Sequence, residues 1–137
     1  MKKYALVLLS FLCLGLMANA QTVKDIFTPE VVKQMNSALP QQIEEGVSLD
    51  NIFIEDNYFG MTIGIDEKVM KMSDVRSEFS SVSGVELAQL MFSDDPTVPK
   101  LLVMLNIGLK MVFVSQQTGE KYIRTVGVQD FAATYSY

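Results

Sequence analysis

The sequence contains no histidine and no tryptophan, and its single cysteine is Cys13, close to the N-terminus. Ser-His and Cys-His catalytic arrangements are therefore excluded, because both need a histidine base. The usual zinc and haem sites are excluded as well, since histidine and cysteine supply their ligands. A chain with one cysteine forms no internal disulfide bond, so side-chain packing must stabilise the fold.

Several ligand-binding motifs are also missing. The sequence has no glycine-rich phosphate loop of the P-loop or dinucleotide type. It has no D-x-[DN]-x-[DN]-G loop for calcium either. We therefore expect neither a cofactor nor a metal ion.

Residues 1–20 have the layout of a cleaved export signal. Two lysines precede an almost wholly apolar run, Ala5 to Met17, and the small-x-small sequence Ala18-Asn19-Ala20 follows. About a dozen apolar residues are too few for a stable transmembrane helix. Cleavage after Ala20 would leave one domain, residues 21–137, in the periplasm or outside the cell.

Two alternatives exist for this segment. It could be retained as a membrane anchor, although the small residues stand where a signal peptidase needs them. Cys13 could carry a lipid, but lipidation needs a small residue just before the cysteine, and Phe11-Leu12 precedes it. We interpret Cys13 as part of the signal core, removed with it.

The charge of the mature chain excludes some partners. Loss of Lys2 and Lys3 leaves nine basic residues against 16 acidic ones, a net charge near −7. Nucleic acids and anionic membranes need clustered positive charge, so we expect neither as a partner. An acidic surface also favours solubility, which is the simpler explanation.

The most apolar part of the mature chain is the stretch from Leu101 to Val128, and we expect it at the centre of the core. Residues 97–106 are predicted to be a helix with Leu101, Leu102, Met104 and Leu105 facing inward. Two strands follow, joined by the turn at residues 116–119. The first, 109–114, is apolar on nearly both faces and therefore predicts an interior strand.

The preceding half of the chain predicts a helix and a hairpin. Thr28-Pro29-Glu30 is typical of a helix start. The helix is limited by Pro40, and residues 41–45 are predicted to be a turn or short helix. Leu49 to Ile54 and Tyr58 to Ile65 form a predicted hairpin.

Between the hairpins the pattern is weaker. A polar run follows Met72, and Ser83 with Glu86 has the spacing of a capping box that starts another helix. The tail from Asp130 either folds back over the sheet or adds a strand. Together these elements predict an α+β fold in which helices pack on one face of an antiparallel four-stranded sheet, in the order helix, hairpin, helices, hairpin. The two αββ halves lack residue-level similarity, so an internal duplication is not supported.

Short motifs in this order resemble small secreted domains of unknown function from Gram-negative bacteria. The run from Met35 to Ile43 is similar to their N-x-x-L-P helix, which precedes a hairpin. Ile107 to Phe113 and Thr118-Gly119-Glu120 are similar to their later strand and turn. The resemblance implies a fold and an exported setting, and it brings no catalytic residues.

Two features suggest a binding groove. In the second predicted strand Phe59, Met61, Ile63 and Ile65 point one way, while Gly60, Thr62 and Gly64 point the other and leave a shallow track. Glycines there permit a ligand or another backbone to come close, or mark a bend or bulge. The mature chain also has seven methionines, which fill cores or line adaptable surfaces. The residues predicted to line a ligand or partner groove are Gly60, Met61, Thr62, Gly64, Met104 and Met111.

Acidic residues supply an alternative function. Carboxylates at Glu44-Glu45, Asp56, Asp66-Glu67 and Asp94-Asp95 formally allow two-carboxylate glycoside hydrolysis. Such a site also needs a cleft and supporting groups that the sequence does not reveal. The sequence therefore favours an exported, non-enzymatic binding or protein-interaction module that takes a protein, peptide or apolar ligand. The alternative is a small carboxylate-dependent hydrolase.

Overall fold

The computed structural model describes residues 27–93 and 96–135, which contain five strands and five helices. The predicted export signal with its cleavage site, and the pair Asp94-Asp95, lie outside these residues. In chain order the elements are α1 (Pro29–Asn36), β1 (Gln41–Glu44), β2 (Val47–Glu55), β3 (Tyr58–Ile65), α2 (Met72–Ser80), α3 (Gly84–Met91), α4 (Thr97–Met104), β4 (Gly108–Ser115), β5 (Lys121–Val126) and α5 (Val128–Ala132). None of these helices is long and apolar enough to cross a bilayer.

The sheet is mixed, with the strand order β1-β2-β3-β4-β5. β3 and β4 run parallel, with Tyr58 opposite Gly108 and Ile65 opposite Ser115, and the other neighbours are antiparallel. The α+β class is confirmed, but the prediction of four antiparallel strands is wrong. Helices α2 to α4 return the chain to the start of β3, and such a long crossover is what a parallel pair requires.

The fifth strand, β1, is the segment that was predicted to be a turn or short helix. Gly46 has a φ of +81°, which lets the chain reverse tightly so that Gln41 pairs with Leu49 of β2. The tail forms the short helix α5 instead of a strand. Its Phe131 is fully buried, with its ring 5.8 Å from that of Phe92.

Helix α2 was not predicted, because its sequence is mostly polar. It buries Met72, Val75 and Phe79, whose spacings of three and four residues place them on one side of a helix. The Phe79 ring lies 4.9 Å from that of Phe113 in β4. Three apolar residues at helical spacing are thus enough to attach α2 to the sheet.

The core is centred on β3 and β4, and of these two strands β4 belongs to the stretch that was predicted at the centre. The alternation in β3 is confirmed, and β4 is an interior strand. Within the Leu101–Val128 stretch the buried hydrophobic residues are Leu102, Leu105, Ile107, Leu109, Met111, Phe113 and Val126. Met104 is an exception to the prediction, because 57% of its surface is exposed.

Replacing Phe113 tests this account of the core. Phe113→Ala removes a fully buried ring and is expected to lower the free energy of unfolding by about 3–5 kcal/mol. Ile123→Ala on β5 is the control, because Ile123 is 53% exposed and should cost less than about 1 kcal/mol. Chemical denaturation measures both. Similar losses for the two variants would contradict a core centred on β4.

Candidate functional site

A groove of about 760 Å³ lies between α1 and the outer edge of β2. We call it the edge groove. Its apolar lining residues are Phe27, Pro29, Val32, Phe53 and Ile54, and its polar ones are Lys33, Asn36 and Asp56. This volume lies within the range of small-ligand pockets and also accommodates a few side chains of a partner.

Local sequence signals position the helical wall of the groove. Thr28 caps α1, with its Oγ1 accepting a hydrogen bond from the Val31 N–H at 3.3 Å, and Pro29 takes the first helical turn. Phe27, just before the cap, packs edge-on against Phe59 of β3, with ring centroids 5.3 Å apart. The predicted helix start is therefore correct, and it attaches α1 to the sheet.

Asn36, at the end of α1, makes side-chain hydrogen bonds to the backbone at the outer edge of β2. Its Oδ1 accepts a hydrogen bond from the Ile52 N–H at 2.7 Å, and its Nδ2 donates to the Ile52 carbonyl at 2.8 Å. This side-chain amide makes the two bonds that a neighbouring strand would make. It can do so because β1 pairs only with Val47 to Leu49, so no described strand pairs with the rest of β2 on the side away from β3.

The alternating direction of backbone hydrogen bonds along the strands shows which other N–H and C=O groups of β2 face its outer edge. The Gly108 N–H of β4 donates to the carbonyl of Asn57, the residue just before β3. Because backbone groups of successive strand residues point to alternate sides, the odd-numbered residues of β3 bond to β4. The even-numbered residues of β3 then bond to β2 through its residues 51, 53 and 55. The backbone groups of Ile52 and Ile54 consequently point away from β3. Asn36 bonds those of Ile52, and no contact within the described ranges occupies those of Ile54.

The six residues of the predicted groove do not share one surface. Met61 and Met111 are paired across β3 and β4 and are buried on the core face. Gly60, Thr62 and Gly64 point to the opposite face, and Met104 is exposed on α4. Ligand binding at any of them stays a prediction.

Neighbouring side chains occupy the space above the two strand glycines. A Cβ atom on Gly60 would collide with the ring of Phe53 from β2. One on Gly64 would meet the Asp50 carboxylate and lie 2.8 Å from the Ser48 hydroxyl. The glycines thus permit close packing inside the protein, and Gly60 leaves room for the ring of Phe53, which lines the edge groove.

The acidic pair after β3 is engaged in hydrogen bonds. Asp66 accepts from the Lys68 N–H at 3.0 Å and from Gln117 Nε2 at 2.7 Å, and these bonds lower the pKa of its carboxyl group. Glu67 accepts from the Ser115 hydroxyl at 2.6 Å and from the Met72 N–H at 3.2 Å, which lower its pKa too. Together they connect the start of α2 to the turn after β4.

Two of the carboxylates singled out in the sequence lie far from each other. Asp56 and Asp66 flank β3 at opposite ends, roughly 25 Å apart for an eight-residue strand. Asp66 shares a polar cleft of about 410 Å³ with Asp50. The lowered pKa of Asp66 opposes the role of general acid, which needs a raised pKa. Among the residues described, no group of three or more Asp, Glu, His or Cys could hold a metal ion.

Sequence reasoning did not find the edge groove. Asn36 appeared only within the N-x-x-L-P motif, where its bonds to a strand 16 residues away had no visible signal. Phe53 offered a weak signal, because it is a large apolar residue on the otherwise polar side of β2, between Asn51 and Glu55. An aromatic residue at that position indicates that this side of the strand is covered by other residues or contacts a binding partner.

Comparisons with solved structures agree with this fold. A protein of Pseudomonas aeruginosa described as a "putative secreted protein" is similar with a TM-score of 0.54 and 16% identity, over 74% of this chain and 87% of that one. The pilotin of the Vibrio vulnificus type 2 secretion system is similar with a TM-score of 0.52 and 10% identity, over 74% of this chain and 86% of the pilotin. No protein-family model matches the sequence, and no curated protein is significantly similar to it. The resemblance to small secreted domains of Gram-negative bacteria is confirmed at the level of the fold.

The role of Asn36 can be tested by removing its amide. Asn36→Ala should lower the free energy of unfolding by about 1–3 kcal/mol, because two hydrogen bonds are lost at a part-buried edge. It should also speed hydrogen exchange of the Ile52 amide. Ser37→Ala on the same helix end is the control and should leave that exchange rate unchanged. An Ile52 amide that stays protected in Asn36→Ala would contradict the assignment.

The lowered pKa values predict a pH dependence of stability. A group with a depressed folded pKa adds stability above its unfolded pKa and loses it as the pH falls through the folded value. For Glu67 this loss starts as the pH drops below its ordinary value of 4.5, and for Asp66 below 3.8. Glu67→Gln should therefore flatten the decline in stability during acid titration. Glu78→Gln, on the exposed side of α2, is the control, and an equal change in both variants would contradict the prediction.

Proposed function

We propose that this protein is an exported, non-enzymatic module that binds a protein partner in the periplasm or cell envelope. The observation that carries the proposal is the edge groove, where apolar side chains lie beside the strand-edge backbone groups of Ile54, which have no hydrogen-bond partner among the described residues. Exposed apolar grooves next to such an edge are characteristic of peptide- and protein-binding surfaces. Three of its lining residues, Pro29, Lys33 and Asp56, are exposed.

The structural neighbours support the setting. One is described as secreted and the other is a secretion-system pilotin, and both come from Gram-negative bacteria. In this proposal residues 1–20 direct export, cleavage follows Ala20, and residues 21–137 are the active form. A stable fold without disulfide bonds would work there under any redox condition.

The chemistry of the molecule favours binding over hydrolysis. The carboxylates of Asp66 and Glu67 accept hydrogen bonds that stabilise turns, and Asp56 stands at the far end of β3. A hydrolytic pair needs two carboxylates about 5–10 Å apart with divergent pKa values. The edge groove instead combines apolar walls with one cation and one anion, Lys33 and Asp56.

Site-specific photo-crosslinking in the cells that express the protein tests this function. A photoreactive residue at position 33, on the rim of the edge groove, should give a discrete adduct in the envelope fraction. Position 34 is the matched control, because it is exposed on the same helix but does not line the groove. The adduct partner should then bind purified residues 21–137, and Val32→Glu should weaken that binding. Adducts of equal yield from both positions, or none from position 33, would count against the proposal.

A further inference from the structure

We propose that the edge groove receives its partner as an extended strand that adds to β2 at Ile54. This inference rests on the proposed function and deepens it, because it names the conformation and chemistry of the bound segment. The occupant is a short, extended, mostly apolar peptide segment of the partner protein.

The backbone of β2 supplies the first argument. The N–H and C=O of Ile54 point away from β3 into the edge groove, and no described contact occupies them. Unpaired strand groups of this kind bind another extended chain by main-chain hydrogen bonds. A helix is a poorer occupant, since its own hydrogen bonds already use its N–H and C=O groups.

Asn36 supplies the second argument. Its amide already makes both strand-type bonds with Ile52, at 2.7 and 2.8 Å. At Ile52, two residues before Ile54, this edge of β2 is thus already hydrogen-bonded to an amide group in the way that it would bond to a neighbouring strand. Asn36 also marks where an added strand must stop, because the Ile52 position is taken.

The walls of the groove suit the two faces of a strand. Successive side chains of an added strand point to opposite sides of the sheet. On one side they would contact Phe53, which lies over Gly60, and on the other Val32 and Phe27 of the helical wall. Among the described residues, Ile54 is the one position of this edge between Asn36 and the turn at Asp56 whose backbone groups have no partner. About three residues of the partner would therefore be in contact.

The charges at the rim select the composition of that segment. Lys33 and Asp56 are of opposite sign, so the groove itself is close to neutral, while the whole chain carries a net charge of −5. A strongly acidic peptide would be repelled by the molecule, and a strongly basic one finds a single carboxylate in the groove. An apolar segment with little net charge fits best, and its binding should depend weakly on salt.

The test uses blocked pentapeptides of alternating threonine and apolar residues, for example Ac-Thr-Val-Thr-Phe-Thr-NH₂, titrated into ¹⁵N-labelled residues 21–137. Binding should shift the Ile54 amide resonance and slow its hydrogen exchange by at least about tenfold, because the amide gains a partner. The Ile52 amide, already bonded to Asn36, is the internal control and should change little.

N-methylation of the peptide separates strand addition from other binding. In a strand, alternate N–H groups face the neighbouring strand. Methylation at peptide residues of one parity should therefore weaken binding by about tenfold or more, and methylation at the other parity should have little effect. Side chains are identical in all versions, and no protein variant is needed.

Each outcome decides the inference. A parity-dependent loss together with protection of Ile54 supports it. If binding shifts the amide resonances of Phe53 and Val32 but has the same affinity for all methylated peptides, strand addition is overturned. The proposed function would remain intact in that case if position 33 gives an adduct. No binding of any pentapeptide at millimolar concentration also overturns strand addition. Failure of the proposed function would appear separately, as the absence of a partner adduct from position 33.

Discussion

The parallel pairing of β3 with β4 is the constraint on which the rest of the structure depends. Eight residues of each strand are in register, and their inner faces stack Met61 beside Met111 and Ile63 beside Phe113 without exposure to water. A parallel pair requires a long crossover, and here three helices form it. Their apolar sides then cover the core face that the pairing creates. The arrangement of helices on one face is thus a consequence of strand direction.

The outer part of the sheet, away from this pair, is incomplete. β2 has nine residues, but β1 has four, and β1 pairs with only the first part of β2. Unpaired backbone groups in a part-buried position are costly, so each needs a partner or water. Asn36 provides the partner at Ile52, and no other described residue bonds the outward-facing backbone groups of Ile54. The candidate site therefore lies where the hydrogen-bond ladder ends, beside the apolar wall formed by α1.

Sequence patterns predicted those features that are set by local chemistry. The alternation from Phe59 to Ile65, the cap at Thr28 and the interior position of β4 follow from residues close in sequence. Strand direction could not be predicted, because parallel and antiparallel pairing of β3 with β4 bury the same residues. The edge groove could not be predicted from the sequence either, because Asn36 and Ile52 are 16 residues apart and come into contact only in the folded protein. Helix α2 was missed because three buried residues were hidden among polar ones.

An open strand edge is also a hazard, since identical chains can pair along it and aggregate. In this protein Asn36 blocks the edge on one side of Ile54, and the turn that begins at Asp56 ends it on the other. The charged side chains of Lys33 and Asp56 flank the remaining gap. The long edge of another copy would need several consecutive unpaired residues, and within the described part of the chain this edge offers one, Ile54. The geometry that limits self-association is therefore the same geometry that would restrict binding to a short segment of a partner.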